Sequence, residues 1–144
     1  MAHLIFSALP QPRRSIIYVS PTLTAAECVK KMTEDDIGAL VVRDEEKLYG
    51  IVSERDVLRA CLYNGLNPFS TPAADIAFTA VSLLNLFDPV EKAMEVITQT
   101  KRRHVLIEDK GEIVAILSIG DLLLHLLEDK TRVIEQLENY IHTY

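Results

Sequence analysis

Displaced by 65 positions, the chain matches itself without a gap: residues 24–62 fall on residues 89–127. Seven of the 39 pairs are identical: Thr33/Thr98, Asp44/Asp109, Ile51/Ile116, Ser53/Ser118, Asp56/Asp121, Leu58/Leu123 and Leu62/Leu127. Others exchange one aliphatic residue for another, among them Leu40/Val105, Val42/Ile107, Leu48/Ile113 and Val52/Leu117. A repeat of this kind decides the architecture before any single element does. One copy of about 45 residues is too small to bury a sufficient core alone. The two copies are therefore expected to share one pseudo-twofold domain. The identities concentrate in Ile-x-Ser-x-x-Asp-x-Leu, as a shared turn or functional motif would.

Each copy reads as strand, helix, strand, strand, helix, a mixed α/β (α+β) pattern. Ile16 to Val19 is a β-branched run, a strand that Pro21 ends. Thr24 followed by Glu27 is a capping-box pattern, and a helix is expected over Ala25 to Met32. Gly38 to Val42 is continuously apolar, as in a buried strand. Asp44-Glu45-Glu46 turns the chain, Leu48 to Val52 returns, and Ser53 opens a helix over Asp56 to Leu62. In the second copy Val81 to Leu86 is the strand. Asp88 is the expected N-cap of the next helix, with Pro89 at its first position. His104 to Ile107 and Ile113 to Leu117 form a hairpin around Asp109-Lys110-Gly111, and Ser118 opens the last helix. The expected organisation is an N-terminal extension (1–14), a first repeat (15–63), a connector (64–74), a second repeat (75–128) and a C-terminal helical extension (129–144). The connector holds the turn pairs Asn64-Gly65, Asn67-Pro68 and Thr71-Pro72.

Composition excludes several classes. With 49% apolar and 25% charged residues in 144, the composition is that of a globular chain and excludes wholesale disorder. No apolar run reaches the ~20 residues of a membrane span. Arg13 and Arg14 follow the apolar start instead of preceding it, so no export signal is expected. Fifteen basic against 21 acidic residues leave a charge of −6, which argues against nucleic acid as a partner and for a soluble cytoplasmic protein. Cys28 and Cys61 form no C-x-x-C and are expected as buried reduced thiols. His3, His104, His125 and His142 lack metal-ligand spacing. No glycine-rich phosphate loop occurs, and Ser53 and Ser118 have no nucleophile-elbow context. No catalytic residue is identified.

Four segments carry a resemblance. They are Ile37-Gly38-Ala39-Leu40-Val41-Val42, the run Gly50 to Arg59 with its Ser53-Glu54-Arg55-Asp56, Arg103-His104 leading into Val105 to Ile107, and Ser118-Ile119-Gly120-Asp121. Over residues 15–128 the chain resembles the cystathionine-β-synthase (CBS) domain, which occurs in tandem pairs, and is similar to stand-alone bacterial CBS-pair proteins. The resemblance implies two repeats packed into one disc-like Bateman-type module with a central cleft. It also implies a non-catalytic regulatory role and an adenosyl ligand in that cleft: AMP first, with ATP or NAD(H) as alternatives. A homodimer and a regulated partner protein are further implications. Departures from the family pattern are Val105-Leu106-Ile107 for Leu-Pro-Val, Ile76-Ala77-Phe78 for Ile-Met-Thr, and Ala115 for glycine. The last adds a methyl group where backbone could approach a ligand.

The residues themselves support two readings of Ser-x-x-Asp. The bland one is a reciprocal helix cap at Ser53/Asp56 and Ser118/Asp121. The functional one uses the same geometry, with the helix start attracting an anion and the carboxylate accepting from ribose hydroxyls. The resemblance assigns the ribose role to Asp56 and Asp121. Lys101-Arg102-Arg103-His104 is a solvated turn or, through Arg103 and His104 with Arg55, a phosphate clamp. Ile17, Val19, Ile37, Ala39, Leu84 and Ile116 are candidates for the walls around an adenine, and Gly38 is a further ligand-binding candidate. Along the tail, Leu123, Leu127, Lys130, Ile134, Leu137 and Ile141 are spaced 4, 3, 4, 3, 4, which is coiled-coil-like apart from Lys130 and favours a dimer contact. The rival expectation is a ligand-independent scaffold that recruits a partner through this helix.

Overall fold

A computed structural model describes residues 3–10, 13, 15–45 and 47–143. They fall into two compact units, residues 15–81 and residues 82–143 with the N-terminal segment. Each unit is built on a three-stranded mixed sheet.

In the first unit β1 (Tyr18–Val19) lies parallel to β2 (Ala39–Arg43), and β3 (Leu48–Ser53) returns antiparallel to β2. Helix α2 (Ala25–Glu34) starts where Thr24 Oγ1 accepts the Glu27 N–H at 3.2 Å and donates to the Glu27 carboxylate at 2.9 Å. Ala25, Cys28 and Met32 share one helical face and meet Leu40, Val42, Val52 and Val57 in the core. Burial, and then the neighbouring Glu27 carboxylate, pushes the Cys28 thiol from 9.0 up to about 11. Cys28 and the half-buried Cys61 are both free thiols. Beyond β3, α3 (Glu54–Val57) starts two residues earlier than the sequence pattern indicates and runs on into a π-helical segment, Leu58–Tyr63.

In the second unit β4 (Leu83–Asn85) is parallel to β5 (His104–Asp109), which pairs antiparallel with β6 (Glu112–Ser118). The hairpin turns on Lys110 and Gly111, both at positive φ (53° and 80°), the signature of a two-residue primed turn. Helix α5 (Val90–Thr100) packs Val90, Ala93 and Ile97 on the sheet. It ends on Lys101 in the left-handed conformation, as α2 is followed by Asp36 at φ 51°. The last helix, α6, runs Ile119–Thr143.

Two short helices exchange places. Helix α1 (Ile5–Ala8), at the start of the chain, packs with the second copy, and α4 (Ala73–Ile76), after the connector, packs with the first. The two attachments match bond for bond. The Val90 N–H donates to His3 O (2.7 Å) and the Ala25 N–H to Thr71 O (2.8 Å). Ile5 N–H donates to Asp88 O (2.9 Å) and Ala73 N–H to Leu23 O (2.7 Å). This corrects the start of α5. Its N-cap is Pro89, level with Thr24 under the repeat, and not Asp88. No side chain caps α5: the Lys92 N–H donates to Pro89 O at 3.0 Å, and the Asp88 carboxylate accepts from the Asn85 N–H at 2.8 Å.

Candidate functional site

Both Ser-x-x-Asp segments stand where a strand becomes a helix. At the end of β3 the Asp56 N–H donates to Ser53 Oγ at 3.3 Å. Ser53 N–H and Oγ–H each donate to Asp56 Oδ2 at 2.8 Å. At the end of β6 the Asp121 N–H donates to Ser118 Oγ at 3.1 Å, and Ser118 N–H to Asp121 Oδ2 at 3.0 Å. The reciprocal cap is thus formed in both copies, and it fixes each half-buried carboxylate at a helix start. The next backbone donor is engaged as well: Glu54 N–H reaches Gly38 O (3.2 Å) and Ile119 N–H reaches Arg103 O (2.9 Å). These bonds tie the residue before β2 or β5 to the helix.

Strand alternation sorts the remaining candidates. Leu40, Val42 and Val52 face the first unit's core, so Ala39, Val41, Ile51 and Ser53 share the opposite face. Val105, Ile107, Ala115 and Leu117 face the second core, so His104, Leu106, Ile116 and Ser118 share its opposite face. The register sets Ala39 across from Ser53 and His104 across from Ser118. One unit therefore gathers Ser53, Asp56, Gly38 and Ala39. The other gathers Ser118, Asp121, Arg103 and His104, with Ile116 two residues along. Val19 is not part of either group: it is buried in the first core and pairs with Val42, toward the other end of β2. Ile17 and Ile37 pack partly against that core, and Leu84 is buried in the other. Arg55 is exposed on the first turn of α3. Lys101 spends its backbone N–H on Ile97 O at 2.9 Å to end α5.

The two ends differ in charge. Where one has Gly38-Ala39, the other has Arg103-His104, so two basic residues stand at that end of the second sheet, the Arg103 carbonyl bonded to the Ile119 N–H and His104 across from Ser118.

A polar cleft elsewhere in the second unit escaped the sequence, because its parts lie at opposite ends of the chain. It is lined by His3, Ser7, His125, Glu128, Thr131 and Arg132, among others. The His3 and His125 rings lie 5.3 Å apart, edge to face, and His125 Nε2 is buried without a hydrogen-bond partner among the described residues. No group of three His, Cys, Asp or Glu among the described residues could hold a metal ion. No helix there is long and apolar enough to cross a membrane.

Comparison with known proteins agrees with this fold. The chain is 32% identical over 124 residues to the mitochondrial CBS domain-containing protein CBSX3 of Arabidopsis thaliana, matching 82% of this chain and 60% of that protein. It is 30% identical to hypoxic response protein 1 of Mycobacterium tuberculosis over 74% of each chain. A solved protein with CBS domains from Burkholderia ambifaria superposes with a TM-score of 0.80 at 30% identity, covering 87% of this chain and 92% of that one. The CBS domain model matches residues 7–63 and 73–128, and the chain belongs to the CBS domain family as a tandem pair.

Proposed function

We propose that the chain is a non-catalytic regulatory module that binds an adenine nucleotide at the capped ends of its sheets: AMP first, with ATP or NAD(H) as related ligands. The observation that carries this reading is the recurrence of one reciprocal Ser–Asp cap in both units, with Arg103 and His104 beside it in the second. Asp121 accepts from the ribose hydroxyls, and Arg103 and His104 offset the phosphate charge. Ile116 supplies apolar surface to the base. At the other end Ser53, Arg55, Asp56, Ile37, Gly38 and Ala39 form the corresponding half-site, where small neutral residues replace the cations. Binding regulates a partner protein by shifting an equilibrium between two arrangements, and only by as much as the ligand's affinity differs between them.

The reading includes a homodimer. Leu58, Leu62, Leu123 and Leu127 are identical between the copies yet more than half exposed. An apolar side chain that recurs on the outside of both units fits a surface covered by a second copy.

Thermal unfolding with AMP, ADP, ATP, NAD⁺ and NADH tests the nucleotide. A ligand at ~100 times its Kd stabilises by about 2.7 kcal/mol, a shift of several degrees at this chain length. The shift is expected to vanish in Asp121→Ala while unfolding stays cooperative. No shift with any of the five, in protein freed of nucleotide, overturns the reading and leaves the ligand-independent scaffold.

A further inference from the structure

Where the first copy runs into the connector, two backbone bonds end the π-helical segment. The Asn64 N–H donates to Arg59 O (2.9 Å) and the Leu66 N–H to Ala60 O (3.0 Å). Between them stands Gly65 at φ 72°, with open space where a side chain would be. Asn64 and Gly65 are both exposed. Among the described residues neither the Gly65 N–H nor the Asn64 side-chain amide has a hydrogen-bond partner. The other three asparagines are placed differently. Asn67 precedes Pro68, which has no N–H, and its Oδ1 accepts from the Phe69 N–H at 2.9 Å. Asn85 Oδ1 accepts from the Phe87 N–H at 2.9 Å, and the Leu86 N–H that follows it is bonded to Glu108 O at 2.9 Å. Asn139 lies inside α6, where the next N–H belongs to the helix ladder.

We propose that Asn64 is a site of spontaneous deamidation, which changes the charge and the backbone of this turn once and in one direction. The Gly65 nitrogen gives up its proton to hydroxide and attacks Asn64 Cγ. The bond from Gly65 N to Cγ forms, the bond from Cγ to Nδ2 breaks, and Nδ2 leaves as ammonia with a proton from water. A water molecule then opens the five-membered imide at either carbonyl. Opening at Cγ gives aspartate. Opening at the main-chain carbonyl gives isoaspartate, in which the chain runs through Cβ and Cγ. In balance one water enters, one ammonia leaves, and nothing is oxidised or reduced.

The turn itself gates the reaction. Ring closure brings Asn64 Cβ, Cα and C near one plane with the Gly65 nitrogen, so Asn64 must rotate about ψ from its −7°. That rotation breaks the bond from Leu66 to Ala60, and Gly65, having no Cβ, follows without a clash. The chemistry therefore proceeds through local opening. Its products then keep the turn from closing as before. Isoaspartate lengthens the main chain by one carbon between the two closing bonds. Either product sets a carboxylate beside the exposed Leu62 and Tyr63, on a chain already at −6.

The test is to incubate the full chain at mildly alkaline pH in water enriched in heavy oxygen, followed by peptide mapping with fragmentation. Residue 64 is expected to appear in two new forms, aspartate and isoaspartate, each carrying one heavy oxygen. Asn67, Asn85 and Asn139 are expected to stay unlabelled, and Asn64→Gln to lose the conversion. An Asn64 that is unchanged when an unstructured peptide of residues 59–69 has converted overturns the proposal, because the fold then protects the site. Conversion of another asparagine to the same extent overturns it as well. Hydrogen exchange reads the consequence. The Leu66 N–H is expected to exchange faster in the isoaspartate form than in Asn64→Asp, which carries the charge without the longer chain. Equal exchange in the two defeats the claim that the lengthened chain holds the turn open.

Discussion

Gly50 and Ala115 occupy the same place in the two copies, and the residue lying over each explains the difference. Phe78 exchanges backbone hydrogen bonds with Ile51 (2.8 and 3.1 Å), so its carbonyl oxygen would stand 2.0 Å from a Cβ at position 50. The chain's own backbone, and not a ligand, makes that close approach. In the exchanged N-terminal segment the residue corresponding to Phe78 is Pro10, which has no N–H to give Ile116. Glycine is not required there, and the Ala115 methyl fills the core. Gly50→Ala is accordingly expected to cost about 3 kcal/mol and Ala115→Gly only about 1 kcal/mol, read from urea unfolding. Cys28 gives a second test. Its thiol is protonated in the fold up to about pH 11 but ionises near 9.0 once unfolded. The stability it contributes is therefore complete below pH 9 and is lost as pH rises from 9 to 11, by roughly 2–3 kcal/mol. Cys28→Ala should remove that part of the alkaline decline.

At the scale of elements, what was legible was what is local. The Ser53 and Ser118 caps, the strands they end and the Lys110-Gly111 turn are all set by residues within a few positions of one another. The start of α5 was displaced by one residue because its N-cap, Pro89, has no capping side chain, whereas Asp88 one place earlier has one that is bonded elsewhere, to the Asn85 N–H. The π-helical segment had no signature, since Leu58 to Tyr63 suits an α-helix equally well. For the candidate site, Ser53, Asp56, Ser118 and Asp121 were legible through the repeat. The separation of Val19 from them was not, because a β-branched residue reads alike on either sheet face. Helix α1 is the short element with the largest consequence. Ile5, Ala8 and Leu9 are buried against Leu84, Leu86, Val90 and Leu122. Ile5→Ala is expected to cost about 2–5 kcal/mol, with amide exchange accelerated across β4–β6 and little changed across β1–β3.

At the scale of the whole molecule, the sequence repeat and the compact units do not share boundaries. The second CBS match begins at residue 73, whereas residues up to 81 pack with the first copy. Helices α1 and α4, four residues each, are too short to show a hydrophobic period and were not read from the sequence, so the exchange was invisible before the structure. It also sets an order of events during synthesis. Residues 15–81 can complete their packing as soon as they clear the ribosome. Ile5, Ala8 and Leu9 emerge earliest, yet their seat ends at Leu122 and is translated last. Those side chains therefore wait uncovered for on the order of ten seconds at ordinary elongation rates, and during that interval a neighbouring nascent chain can offer them the same seat.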